Sequence, residues 1–192
     1  VYKRQDYYRM IKKASINLNR EWFISKNPPN TARIPALLEI FPNAKFIYIY
    51  RNPVMVLLST RHFFSKIMPP LQMHTISDVK RNEIVFDLYR KTMERYFEYK
   101  DLIPDGNLVE VKFEDFDRDQ IGTIKRVYDE LGIPGFDENR QSFEKYAESK
   151  KDYKKNTYKV KKELFEEIQE KCRFTMEEYD YEVPSIVEVI DD

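Results

Sequence analysis

Two side chains that could bind an anion lie eight positions apart in the sequence, Arg51 and Ser59. Arg51 follows the apolar run Phe46-Ile47-Tyr48-Ile49-Tyr50 and precedes Asn52-Pro53. A guanidinium presents its N–H donors in a planar fork that matches the oxygens of a phosphate group. If the residues from Pro53 onward form a helix, Ser59 places a hydroxyl about two turns into it. The chemistry that these residues predict is the binding of a phosphate-like anion.

The residues around Arg51 predict a strand, a polar turn and a helix. An unbroken aromatic and β-branched run is typical of a strand buried on both faces in a parallel sheet. Pro53 suits the first position of a helix, where no N–H partner is needed. In open α/β sheets, ligands bind where strands end and helices begin. The residues alone leave a second interpretation open, in which Arg51 is a strand-end charge in a surface ion pair and Ser59 is an ordinary helix surface residue.

The pattern R-N-P-x(5)-S after this strand resembles the 3′-phosphate-binding element of the sulfotransferases. The similarity, which is to the bacterial branch, continues upstream through K-N-P-P-N-T-A-R-I-P-A-L-L-E-I-F-P-N-A-K-F and so covers residues 26–64. These enzymes move a sulfonate from 3′-phosphoadenosine-5′-phosphosulfate (PAPS) to an acceptor hydroxyl or amine, by in-line attack on sulfur and without a metal. The resemblance implies that Arg51 and Ser59 hold the cofactor's 3′-phosphate and that Lys26 lines the site.

The fold that this resemblance implies is a three-layer α/β sandwich with a mainly parallel sheet, similar to the P-loop nucleotide hydrolases. The family also carries a phosphate loop, after its first strand and ahead of the segment that matches residues 26–64. The residues before Lys26 contain no such loop. We therefore expect that the first strand and the phosphate loop are missing, which would leave the fragment inactive in transfer.

The domain organisation follows from the same comparison. Residues 6–182 are expected to form a single sulfotransferase-like domain, the C-terminal part of a longer one. The opening Val-Tyr-Lys-Arg-Gln resembles the translation of a sequencing-library adapter, so residues 1–5 are expected to be a non-native leader. Residues 183–192 are acidic and are expected to form a peripheral tail.

Further elements are predicted from local patterns. Glu21–Ser25 is predicted to be a short strand with Lys26 at its end, and Thr31 is predicted to cap the next helix. Asp78–Leu102 is predicted to be a long amphipathic helix, and residues 108–113 the next strand. The last helix, over residues 160–179, is expected to bury Cys172 as an inert core thiol.

Phe113 is a second candidate for nucleotide binding. The segment Phe113-Glu114-Asp115-Phe116 resembles the family signature [YF]-E-D-[LF], whose first aromatic residue contacts adenine. The resemblance implies that role for Phe113, while a core phenylalanine at a strand end is the alternative. Glu114 and Asp115 are expected to orient loops and basic groups. A paired general acid/base role is not expected of them, because adjacent residues of a strand point to opposite faces.

A lysine-rich stretch follows later in the chain, with seven lysines between Lys150 and Lys162. Its D-Y-K-K-N-x-Y segment is similar to one that follows the basic 3′-phosphate loop of cytosolic sulfotransferases, with one residue inserted and the loop glycine absent. This similarity implies that Lys150, Lys151 and Lys154 are secondary phosphate contacts. As a bare run of charge, the stretch would instead be a solvated face.

The general base is not identified by the sequence. In cytosolic members of the family a catalytic histidine lies two residues after the position of Lys26, where this chain has Pro28. The weak candidates are Lys26 and His62, which lies one turn after Ser59 and would titrate near neutral pH. Helical histidines are more often surface groups.

Composition excludes few classes of protein. Lys plus Arg and Asp plus Glu both number 33, so net charge gives no argument for a nucleic-acid or membrane partner. No apolar run is long enough for a transmembrane segment, and the polar start shows no signal peptide. The single cysteine excludes an internal disulfide and fits a reducing compartment, so a cytoplasmic location is expected.

Three functions remain open at this stage. The first is PAPS-dependent sulfonate transfer to a carbohydrate, lipid or small metabolite, an acceptor class argued by analogy alone. The second is a nucleotide or sugar kinase of related fold, which would use ATP and Mg²⁺. The third is a non-enzymatic module that binds RNA or protein through residues 150–162.

Overall fold

Helices pack against two pairs of parallel strands in the computed structural model, which describes residues 2–18, 22–152 and 156–190. The helices are α1 (Tyr2–Leu18), α2 (Ile34–Ile40), α3 (Pro53–Ile67), α4 (Asp78–Tyr99), α5 (Phe113–Arg118), α6 (Gln120–Leu131), α7 (Phe136–Glu148) and α8 (Lys162–Glu178). The strands are β1 (Phe46–Tyr50), β2 (Leu108–Lys112), β3 (Tyr158–Lys161) and β4 (Val187–Ile190). Short 3₁₀ turns lie at Pro28–Ala32, Pro69–Leu71 and Lys100–Leu102.

The first strand pair is the one that positions the site. β1 pairs in parallel with β2, in a register that runs from Phe46 opposite Leu108 to Tyr50 opposite Lys112. The connection between them contains α3 and α4, as a parallel crossover requires. The predicted α/β class with parallel strands is confirmed.

The second strand pair was not predicted. β3 pairs in parallel with β4, from Tyr158 opposite Val187 to Lys161 opposite Ile190. Each strand is only four residues long and carries charged side chains, so neither shows a clear apolar alternation. β4 lies inside residues 183–192, which were expected to form a peripheral tail.

The core of the described residues consists of three clusters. One joins α3, α4 and α8 and includes Leu57, Val85, Ile168 and Cys172. A second packs Ile34, Met93, Tyr96 and Ile103 against β1, and a third packs Val109 and Val111 of β2 against Val127 and Leu131 of α6. Cys172 is fully buried, and burial raises the pKa of its thiol to about 12. The prediction of an inert core thiol is therefore confirmed.

The prediction that β1 is buried on both faces is wrong. Phe46 and Tyr48 pack on the second cluster, whereas Ile47 and Ile49 on the other face are 49% and 58% exposed. On that face α6 covers β2, but within the described residues no helix covers β1. Composition reports the apolar character of a strand and not how many of its faces are covered.

The prediction of a strand at Glu21–Ser25 is also wrong, because residues 22–27 have no regular structure. In the described ranges no strand pairs with this segment, and an apolar run without a neighbouring strand has no partner for its backbone groups. Thr31 lies within a 3₁₀ turn and does not cap α2, which begins at Ile34.

Other predicted boundaries hold. α3 begins at Pro53, and the predicted helix over residues 78–102 is observed as α4 followed by a 3₁₀ turn. None of the helices in the described ranges has the length and apolar character needed to cross a bilayer.

Candidate functional site

The carboxyl ends of β1 and β2 lie side by side, and this edge is the centre of the candidate site. Tyr50 and Lys112 are opposite each other at the ends of β1 and β2, so the residues that follow them, Arg51 and Phe113, leave two neighbouring strands side by side. The Arg51 guanidinium carbon lies 4.5 Å from the centroid of the Phe113 ring. A cation over an aromatic ring at this distance is worth roughly 0.5–2 kcal/mol and keeps the guanidinium in one place.

Arg51 is half-buried and keeps its hydrogen-bond donors available. Among the residues that the structure describes, it has the Phe113 ring contact and no carboxylate partner. A ring contact uses the face of a guanidinium and leaves its N–H groups, which point outward in the plane, for a ligand. Of the two interpretations of Arg51, the surface ion pair is therefore not the one observed.

The turn after Arg51 is held by Asn52, which is only 6% exposed. Its side-chain oxygen accepts a hydrogen bond from the Val54 N–H at 3.1 Å and so caps α3. Its side-chain N–H donates to the Glu182 carbonyl at 2.8 Å, and its backbone N–H donates to Glu114 Oε1 at 3.2 Å. The start of α3 and two segments that are distant in the sequence therefore fix the turn that carries Arg51.

Glu114 connects this turn to the C-terminal segment. Its Oε1 accepts from Asn52, and its Oε2 accepts from the Tyr181 hydroxyl at 2.5 Å. Burial raises the pKa of Tyr181, and the hydrogen bond to the Glu114 carboxylate raises it further. The Lys112 ammonium lies 4.5 Å from the centroid of the Tyr181 ring. Glu114 orients the turn, as the sequence predicted, and both of its oxygens already accept hydrogen bonds.

Stacked tyrosines support the edge from behind. Tyr50 stacks on Tyr179 with ring centroids 4.3 Å apart, and Tyr48 stacks on Tyr96 at 3.9 Å. The Tyr96 hydroxyl donates to Glu110 at 2.7 Å. Burial raises the pKa of Tyr48 to about 12. These rings form a stiff, largely dry support for the end of β1.

Ser59 lies in α3 and is exposed to solvent. Its helix begins two residues after Arg51. The structure therefore places the two predicted anion-binding side chains on one strand–turn–helix unit.

Other predicted site residues are not joined to this edge. Lys26 is exposed in the irregular segment 22–27, so the strand end predicted for it is absent. His62 is exposed on α3, and its carbonyl accepts from the Ser65 hydroxyl at 2.7 Å. In the part of the chain that the structure describes, neither residue contacts Arg51.

The described part of the lysine-rich stretch contacts the helix before it. The Lys150 ammonium lies 5.6 Å from the Tyr146 ring centroid, and Lys151 pairs with Glu148. Both contacts are with the helix that precedes them, α7. Lys154 lies outside the described residues.

Sequence reasoning missed Tyr181 and Glu182 as parts of the site. They come from the segment after α8 and reach residues 67 and 130 positions earlier in the chain. No local pattern marks such contacts. The capping role of Asn52 did have a signal, because asparagine before a helix-starting proline is a good N-cap.

Comparisons with known proteins identify the family of this chain. The model of a sulfotransferase family matches residues 3–138. Two proteins, from Mycobacterium bovis and Mycobacterium tuberculosis, are 33% identical over 167 residues, which is 85% of this chain and 42% of theirs. Both are named omega-hydroxy-beta-dihydromenaquinone-9 sulfotransferase Stf3.

A solved structure gives the same result for the fold. The crystal structure of sulfotransferase STF9 from Mycobacterium avium superposes with a TM-score of 0.67 at 18% identity, over 82% of this chain and 42% of that one. The likeness identifies the fold that these chains share. The chain spans less than half the length of the relatives it matches.

Proposed function

This chain belongs to the sulfotransferase family, and we propose that it acts in the transfer of a sulfonate from PAPS to a hydroxyl or amine acceptor. In this proposal the chain carries the part of the donor site that binds the 3′-phosphate. The observation that supports it is the Arg51 guanidinium, fixed against Phe113 at the carboxyl ends of two parallel strands and without a carboxylate partner in the described ranges.

The residues present fit a nucleotide phosphate. Arg51 offers in-plane donors, which form charge-assisted hydrogen bonds to phosphate oxygens. Ser59 offers an exposed hydroxyl on the helix that follows. Arg51 covers one face of the Phe113 ring, so an adenine would contact Phe113 at its other face or its edge. When bound, PAPS supplies the sulfonate, and the side chains named here bind and orient its nucleotide.

The remaining predicted residues have secondary roles in the proposal. Lys150, Lys151 and Lys154 are proposed as outer contacts that attract the phosphate, and Lys26 and His62 stay the candidate bases. Lys150 and Lys151 would have to exchange their contacts with Tyr146 and Glu148 for the ligand. Exposed contacts of this kind are weak, so the exchange costs little.

The acceptor class that we propose is a hydroxyl on a lipid. The two curated relatives carry a hydroxylated menaquinone in their names, and a polyprenyl quinone is a lipid.

A titration with adenosine 3′,5′-bisphosphate tests the donor-site proposal without requiring turnover. Calorimetry is expected to detect binding of this ligand and much weaker binding of 5′-AMP, which lacks the 3′-phosphate. Arg51→Ala is expected to lower the affinity for the bisphosphate by about ten- to a hundredfold. This is the equivalent of about 1.5–3 kcal/mol, the contribution of hydrogen bonds to a charged group. Arg51→Lys should retain part of the affinity.

Lys112→Ala is the matched control, because Lys112 is a cation at the same edge but lies against Tyr181. It should leave the affinity within about threefold of wild type. If ATP with Mg²⁺ binds as tightly as the bisphosphate, the kinase alternative is favoured. If RNA binds and neither nucleotide does, the non-enzymatic module is favoured. Bisphosphate binding that Arg51→Ala leaves unchanged would overturn the proposed role of Arg51.

A further inference from the structure

Exposed apolar side chains collect where α3 connects to α4, a region that we call the hairpin tip (residues 63–79). Met73 is fully exposed, and Leu71, Val79 and Phe63 are 76%, 69% and 55% exposed. Single exposed apolar residues are normal on soluble proteins. Several at one end of a helix pair form a patch of the kind that marks an interaction surface.

The tip is an ordered turn. α3 and α4 pack against each other, so their connected ends lie together. Pro69 and Pro70 begin the 3₁₀ turn Pro69–Leu71, and the Leu71 N–H donates to the Met68 carbonyl at 2.9 Å. The apolar side chain of Leu71 is thus presented from a hydrogen-bonded turn, which lowers the entropy lost when it is buried against a partner.

The region around the tip, residues 61–83, carries more positive than negative charge. Residues 40–77 contain no Asp or Glu, although the chain has 33 of them. Lys66 lies exposed in the last turn of α3, and His62 and His74 are exposed nearby in the sequence. At the start of α4, Asp78 and Glu83 pair with Arg81 and Lys80. With four cations and two carboxylates, residues 61–83 carry a net charge of +2 before any histidine is protonated.

We propose that the hairpin tip is a docking surface for a membrane that contains anionic phospholipids. Apolar side chains that project from a rigid turn can enter the boundary between headgroups and acyl chains. Basic side chains near the surface add an attraction to anionic lipids of about 1 kcal/mol each. A second copy of the chain would bring the same positive charge to the contact, which disfavours self-association through this surface. The inference uses no part of the nucleotide site, so it stands independently of the proposed function.

Co-sedimentation with vesicles tests this surface on the whole chain. The vesicles are phosphatidylcholine alone, or two parts phosphatidylcholine to one part phosphatidylglycerol. The wild-type chain is expected to bind the phosphatidylglycerol vesicles, to bind the neutral ones more weakly, and to lose binding as salt is added. The double variant Leu71→Glu/Met73→Glu is expected to partition about tenfold or more weakly, since it replaces apolar contacts with repulsion.

Leu102→Glu is the matched control, because Leu102 is 55% exposed at the opposite end of α4. It should bind vesicles as wild type does. Circular dichroism checks that each variant is folded. If the double variant is not, Met73→Ser replaces it, since that side chain is fully exposed, and a loss of about threefold is then expected.

Three results would overturn the proposal. One is a wild-type chain that does not bind phosphatidylglycerol vesicles. Another is binding that the tip variants retain, or that Leu102→Glu loses to the same extent, which would indicate general adsorption. The third is a dimer, seen by sedimentation velocity, that the tip variants dissociate, because the surface would then bind a second copy of the chain.

Discussion

The turn after β1 and the lysine-rich stretch after α7 both carry positive charge, but they are held by different kinds of contact. Arg51 lies on a ring from the neighbouring strand, and the adjacent Asn52 bonds to residues 62 and 130 positions away. Lys150 and Lys151 contact residues four and three positions earlier in α7. Charge fixed by distant contacts is preorganised for a ligand, whereas charge in local, exposed pairs is free to rearrange.

The largest effect on stability is expected at Asn52. Asn52→Ala removes the cap of α3 and the donor to the Glu182 carbonyl in a buried setting, so the free energy of unfolding should fall by about 2–3 kcal/mol. Urea denaturation followed by circular dichroism measures this. Asn43→Ala, in an exposed turn, is the control and should change stability by less than about 0.5 kcal/mol. Similar losses for both would mean that the turn at Asn52 is not specially fixed.

A smaller effect is expected at Tyr181. Tyr181→Phe deletes the hydroxyl that donates to Glu114 and keeps the ring near Lys112, so stability should fall by about 1 kcal/mol. Tyr146→Phe makes the same chemical change beside Lys150, on a residue that is 67% exposed, and should be nearly neutral. If Tyr146→Phe lowers the free energy of unfolding more than Tyr181→Phe in matched urea denaturations, the contrast between the two regions is contradicted.

Alkaline pH should weaken the support behind β1. Burial raises the pKa of Tyr48 from 10.0 to about 12, so above pH 10 the unfolded chain releases this proton while the folded chain retains it. Stability is therefore full below about pH 10 and falls as the pH rises towards 12, by about 1 kcal/mol at pH 11 from Tyr48. Denaturation at pH 9, 10 and 11, with tyrosinate absorbance at 295 nm, measures the slope. In Tyr48→Phe the slope should flatten, and an unchanged slope would contradict the assignment.

The smallest effect is expected in the lysine-rich stretch. Lys151→Ala removes an exposed ion pair with Glu148 and should change the free energy of unfolding by less than about 0.5 kcal/mol. Thermal denaturation at low and at moderate salt measures this, and added salt should shrink the difference further. A loss as large as that of Asn52→Ala would show that this segment is as firmly fixed as the turn after β1.

The features of the site that the sequence predicted are mostly those that depend on neighbouring residues in the chain. The strand before Arg51 and the helix start at Pro53 follow from residue types within one short stretch, and both are observed. Arg51 and Phe113 were each predicted to bind the cofactor, on the family resemblance, but their positions side by side at one edge of the sheet were not predicted. The contact between their side chains required the structure.

What the sequence could not predict depends on distant parts of the chain. Tyr181 and Glu182 reach the site only because α8 returns the chain to β1, and no residue pattern near either one records this path. The exposure of Ile47 and Ile49 depends on which face of β1 is covered, which an apolar run does not specify. The failed strand at residues 21–25 has a similar origin, since a strand needs a neighbour as well as a suitable composition.

Cys172 has a practical consequence for measuring binding. It is the only cysteine of the chain, and its thiol is fully buried with its pKa raised to about 12. A thiol reacts with a maleimide as its thiolate, which is the nucleophile, so the folded chain is expected to take up almost no label at this residue. A cysteine introduced at an exposed position of α3 would then carry a fluorophore by itself. Emission from such a single probe would report nucleotide occupancy directly, in a background that needs no cysteine replacement.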